Sequence, residues 1–234
     1  MKSSLLNMTA VLFGITLVAS AGVGAVNMIT AEPIEQAKAA DTENAVKAVL
    51  SGVDFDAIAP ADTLMNKNNS TVVVYRAKKG DDVAAYAVKT PSLTKNGFNG
   101  KVTLMVGYLP DGVVNDIVVV EQNETPGLGT RMKDEGNSLY LSVRGKNTWE
   151  MRNSGALAVR QDGGEVDALT AATISSRAYV NAIEAADAAF RIASGQAGAQ
   201  EPLAVSGATL TCDGQQPAQQ SENGPEAQEG GKNE

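Results

Sequence analysis

Lys101-Val-Thr-Leu-Met-Val-Gly-Tyr-Leu109, Pro110-Asp-Gly112 and Val113-Val-Asn-Asp-Ile-Val-Val-Val120 follow one another without interruption. The two outer runs are rich in β-branched and aromatic residues, which favour a pleated, half-buried surface. The tripeptide between them is a turn with a mechanism: proline presets φ and glycine tolerates φ > 0. The stretch therefore predicts a strong antiparallel pair. Upstream, Thr71-Val-Val-Val-Tyr75-Arg-Ala77 reads as a strand, residues 78–82 as a turn, and Val83 to Lys89 as its antiparallel partner. Downstream, residues 177–193 hold no Gly or Pro, and Tyr179, Ile183, Ala186 and Phe190 recur at helical spacing. The fold class is α+β, an antiparallel strand meander with flanking helices.

At the N-terminal end no charged residue occurs between Ser3 and Ala31. Some 23 residues of helix at about 1.5 Å rise would span roughly 34 Å, enough for a hydrocarbon core of about 30 Å. Residues 1–31 are therefore expected to form a single-pass anchor in the cytoplasmic (inner) membrane. Lys2 before the segment, with Glu32 and Glu35 after it, favours an N-terminus inside and the main domain on the periplasmic, extracytoplasmic side. Ala19-Ser20-Ala21 offers the competing reading of a cleaved signal peptide. Residues 32–70 are expected to be a helical stalk and linker, with Ser51-Gly52 ending the helix. Residues 71–211 form the main domain. Residues 212–234 are expected to be a disordered tail rich in Gln and Gly, because 213–234 hold five acids, one Lys and nothing apolar larger than Ala or Pro.

Of 234 residues, 27 are acidic and 19 basic, so the net charge is −8 and a nucleic-acid partner is disfavoured. The chain has no His and a single Cys, Cys212. These counts remove His-based nucleophile systems, His-ligated metal sites and an iron–sulfur cluster of the chain's own. Redox or transfer chemistry would have to come from a bound organic cofactor, or occur elsewhere.

Two segments could hold one. Glu124-Thr125-Pro126-Gly127-Leu128-Gly129 leaves the Val-rich strand, and its glycines allow close backbone approach. Taken alone it is also an ordinary tight loop. Asp167-Ala-Leu-Thr170-Ala171-Ala172-Thr173-Ile-Ser175-Ser176 lies just ahead of the 177–193 helix. Its hydroxyls are common N-caps, and equally its small residues leave N–H groups open to a phosphate.

The string Asp-x-x-Thr-Ala-Ala-Thr at 167–173 resembles the flavinylation motif Asp-x-x-Ser/Thr-Gly-Ala-Ser/Thr of the FMN-binding domain family. Gly97-Phe-Asn-Gly100, the hairpin around residues 110–112 and the segment 124–129 resemble that family in the same order. The resemblance implies one FMN per chain, joined through a phosphoester to Thr173. It implies contacts from Thr170, Ala171, Ala172, Ser175, Glu124, Thr125, Gly127, Leu128 and Gly129, with Leu128 an apolar face and the N–H groups near Gly127 and Gly129 facing ring heteroatoms. Asp167 would be a recognition residue for a separate flavin transferase that uses FAD and Mg²⁺; a helix-capping acid is its plain alternative. Ala171 stands where the family usually has Gly, and would be strained if that position needs φ > 0; a helical or extended backbone is the expectation. Ser206-Gly-Ala-Thr209 matches the short motif too, but it lacks the preceding Asp and a following amphipathic helix.

With its anchor, the whole chain resembles the G subunits of Rnf ion-translocating electron-transport complexes. That implies membership of a membrane complex that couples ferredoxin and NAD⁺ chemistry to ion movement, as a carrier and not as a catalyst acting alone. The C subunit of the Na⁺-translocating NADH:quinone oxidoreductase shares the domain. A stand-alone tethered flavin carrier is a further alternative, and a non-redox scaffold is disfavoured.

Overall fold

The computed structural model describes residues 2–65, 70–92, 101–134 and 136–196. The Gly97–Gly100 motif, the Ser206–Thr209 match and the acidic tail lie outside them. Five antiparallel strands, β1 (Ala57–Met65), β2 (Thr71–Lys79), β3 (Asp82–Pro91), β4 (Thr103–Tyr108) and β5 (Val114–Glu121), form one sheet in sequential order. Helix α1 (Lys2–Val49) precedes the sheet. Short helices α2 (Ser138–Leu141) and α3 (Thr148–Asn153) and the long α4 (Thr173–Ala193) follow it. The α+β meander is as the sequence predicts. Tyr108 closes β4 and Val114 opens β5, with Gly112 at φ 84° in the turn between them.

The stretch read as stalk and linker requires a correction, because 57–65 is the first strand of the sheet. Its Pro60 and Asp62 weaken the strand signal, and a register shift falls between them in the pairing with β2. An edge strand tolerates this, since one side of its backbone needs no ladder partner.

The sheet separates two apolar layers. Val72, Val74, Tyr86, Val88, Leu104, Val106 and Tyr108 pack with Tyr179, Ile183, Ala186 and Phe190 of α4. The phenols of Tyr108 and Tyr179 are pushed well up, mainly by burial. On the opposite face Ala77, Ala85, Ala87 and Met105 meet Ala45, Val46, Val49 and Leu50 at the end of α1. Small side chains there let a helix lie close. At Gly107 a Cβ would stand 2.2 Å from the Val49 carbonyl oxygen. The Asn115 side-chain amide donates to Val49 O (2.8 Å) and Ser51 O (3.1 Å), satisfying carbonyls that the helix end leaves open.

Helix α1 is continuous through Pro33, and one stretch of it is long and apolar enough to cross a membrane. The apolar side chains of 6–29 are exposed, as a lipid-facing segment requires. Helix α4 is oriented by its ends. Arg76 Nη2 donates to the Ala193 carbonyl at 2.7 Å, placing a cation at the negative end. The opposite, positive end opens at Thr173.

Candidate flavin site

Helix α4 begins at Thr173, four residues ahead of the stretch recognised from helical spacing, so Thr173 occupies its first turn. The N-cap position is Ala172, and no side chain caps the helix. Leading N–H groups are thus left with the partial positive charge of the helix end. Ser176 ties the preceding loop down: its hydroxyl donates to Ala172 O at 2.9 Å and accepts from Leu169 N–H at 2.9 Å.

A cavity of about 360 Å³ opens at this terminus, lined by Ala171, Ala172, Thr173, Ile174 and Ser175 on one side and Glu124, Thr125, Leu128 and Gly129 on the other. Two segments more than forty residues apart in the sequence thus form one site. Glu124 is buried, and its Oε2 accepts from the Ser175 hydroxyl at 2.6 Å. Gly129 allows that contact: a Cβ on it would lie 2.6 Å from Ser175 Oγ and 2.7 Å from Glu124 Cβ. Leu128 and Ile174 stay 40% and 47% exposed, forming apolar lips at the cavity.

Three expected contacts lie elsewhere. Thr170 is exposed and does not line the cavity, and Gly127 does not line it either. The Gly127 N–H donates to Thr130 Oγ1 at 2.9 Å, so it is committed within its own turn. Asp167 pairs with Arg160 and its backbone N–H donates to Ser142 Oγ at 3.0 Å; it does not cap α4. Beside it, Arg177 forms a two-pronged pair with Asp162 at 2.7 and 2.6 Å, holding the Asp162 carboxyl below its usual range. Ile174 is the lining residue that sequence reasoning passed over. Its signal is an apolar side chain off the face set by Tyr179, Ile183 and Phe190.

Ala171 adopts φ 59°, contrary to the helical or extended expectation. The left-handed region costs a residue with a Cβ roughly 1–2 kcal/mol. Ala171→Gly is expected to remove that strain, offset in part by glycine's greater unfolded-state entropy, for a net gain of about 1 kcal/mol. Urea unfolding measures it; an unchanged midpoint would mean the turn carries no strain.

A larger cavity, about 740 Å³, lies along β5 against α2 and shares no lining residue with the motif site.

The residues suit a phosphate-ended ligand. An uncapped helix end would meet the anion, the Thr173 hydroxyl stands at that end, and the buried Glu124 carboxyl lies alongside with one oxygen on the Ser175 hydroxyl. A family model described as an FMN-binding domain matches residues 97–188. The chain is 31% identical to the G subunit of the ion-translocating oxidoreductase complex of Vibrio cholerae over 163 residues, 68% of this chain and 77% of the relative. It is 29% identical to the G subunit of the Na⁺-translocating ferredoxin:NAD⁺ oxidoreductase complex of Acetobacterium woodii over 181 residues, 74% and 85% of the two chains. With the corresponding Erwinia tasmaniensis protein the identity is 38% over 111 residues, covering 47% of this chain and 51% of the relative. The chain belongs to the family of G subunits of ion-translocating oxidoreductase complexes.

Proposed function

We propose that this chain relays electrons within a membrane-bound ion-translocating oxidoreductase of the Rnf kind, through one FMN joined by a phosphoester to Thr173. The observation that carries the reading is the uncapped α4 N-terminus, with Thr173 in its first turn, opening into the cavity shared with residues 124–129. The leading N–H groups of α4 would hold the phosphate. Glu124 would accept from a ring or ribityl donor, and Leu128 and Ile174 would flank the isoalloxazine. Bound flavin supplies one- and two-electron transfer, which suits a chain with no His and one Cys.

Attachment is assigned to a separate Mg²⁺-dependent transferase. The Thr173 oxygen bonds to the FMN phosphorus of FAD, the pyrophosphate bond breaks and AMP leaves. Helix α1 is read as a retained anchor that places the domain outside the cytoplasm, where a covalent link keeps a scarce cofactor from being lost. The G-subunit relatives favour this complex over the NADH:quinone oxidoreductase and over a stand-alone carrier. Intact-mass measurement of the full chain, coexpressed with such a transferase and then denatured, should show a single FMN adduct. An unmodified, colourless chain overturns the reading.

A further inference from the structure

We infer that Glu124 is the residue that sets the reduction potential of this site, holding the bound flavin at a lower potential than the rest of the cavity would. The inference rests on the reading proposed above and goes beyond it, from where the flavin sits to what tunes it.

Glu124 is 5% exposed. Its backbone N–H donates to Gln122 Oε1 at 2.6 Å, and its Oε2 takes the Ser175 hydroxyl. Gly129 closes over the side chain, since a Cβ there would come within 2.9 Å of Oε2. Held by the Ser175 hydroxyl and closed in by the Gly129 backbone, the carboxyl stays buried. Its second oxygen, Oε1, is buried without a partner. Leaving a buried acceptor unpaired is costly, so a well-packed protein seldom keeps one without use. Here the residue that bears it lines the cavity at the end of α4.

The charge around it matters as much as the free lone pair. None of the ion pairs among the described residues involves Glu124. Arg131, the arginine nearest Glu124 in sequence, pairs with Asp134, and Arg160 and Arg177, nearest the motif, are engaged by Asp167 and Asp162. The carboxylate therefore stands at the cavity without an ion-pair partner among the described residues. A flavin that gains two electrons and one proton carries one more negative charge than before. Coulomb repulsion from a buried carboxylate at the cavity wall would oppose that gain and stabilise the oxidised form. The helix end lies on the phosphate side, where the charge is the same in both redox states. Glu124 is thus a positioning and tuning residue, and its effect is a property of the loaded site that packing alone would not produce.

The test is spectroelectrochemical titration of the full chain in detergent, with dithionite as reductant, comparing wild type with Glu124→Gln after coexpression with a flavin transferase. The amide keeps the shape and an oxygen for Ser175, and removes the charge. Intact mass should show the adduct in both proteins. The variant's potential should rise by at least about 30 mV for a two-electron couple, a tenfold change in the reduction equilibrium. A potential that stays the same or falls, with the adduct present, overturns the role of Glu124 and leaves covalent attachment standing. Loss of the adduct in both Glu124→Gln and Glu124→Ala also overturns it, because Glu124 would then serve attachment. An unmodified wild-type chain instead overturns the reading beneath it.

Discussion

Thr173→Ala is expected to abolish the covalent flavin, leaving a chain of unmodified mass under conditions that load the wild type fully. Geometry singles out this hydroxyl. Among the motif's four hydroxyl residues, Thr170 is exposed outside the cavity. The Ser175 hydroxyl is spent on Glu124, and that of Ser176 on Ala172 O. Thr173 and Ser175 both line the cavity in the first turn of this uncapped helix, where a phosphodiester would gain from N–H donors and helix dipole together, and of the two only Thr173 has a hydroxyl not engaged by another described residue. Thr173→Ser keeps an oxygen at the same place and should retain the adduct. Peptide mapping of the loaded wild type should place the flavin on the peptide that contains Thr173. An adduct that survives Thr173→Ala would move the attachment to another residue, Thr209 being the first to examine.

Gly107→Ala should cost about 3 kcal/mol, at the upper end of the usual range for overpacking. The added Cβ would lie 2.2 Å from Val49 O and 3.0 Å from Val49 Cβ. The first of these is backbone, which cannot rotate away as a flexible side-chain tip can. Relief requires the end of α1 to lift from the sheet, which uncovers Val46, Val49 and Leu50 and pulls Val49 O from the Asn115 amide. Hydrogen exchange of the full chain in detergent should show faster exchange at 46–50 with little change in the centre of α4. Uniform protection across both helices would mean that α1 docks without the notch at Gly107. If α1 is the membrane anchor, the same contact decides whether the flavin domain is held rigidly against its stalk or hangs from a loose tether.

Local periodicity reached most of the sheet and the body of α4, because β-branched runs and helical spacing report short-range backbone preference and one buried face. It failed where neighbours overrode that preference. Residues 57–65, with Pro60 and Asp62, are a poor isolated strand; pairing with β2 makes them one. The first residues of α4 carry no core-facing pattern, since they face a cavity. Ala171 takes a left-handed backbone because the turn between Leu169 and Ala172 requires it, which no intrinsic preference of alanine would suggest.

The sequence by itself determined which chemistries this chain lacks the residues for. With no His and a single Cys it has no His-based nucleophile and no cysteine cluster of its own, and the string at 167–173 carries the resemblance behind the proposed flavin attachment. It also determined the apolar span, since hydrophobic length is a one-dimensional property. Only the tertiary structure decided what faces Thr173. The closing of residues 124–129 onto the α4 terminus depends on a contact between Gly129, Glu124 and Ser175 that spans the domain. Which oxygen of Glu124 is left without a partner is fixed by that packing, and composition carries no trace of it.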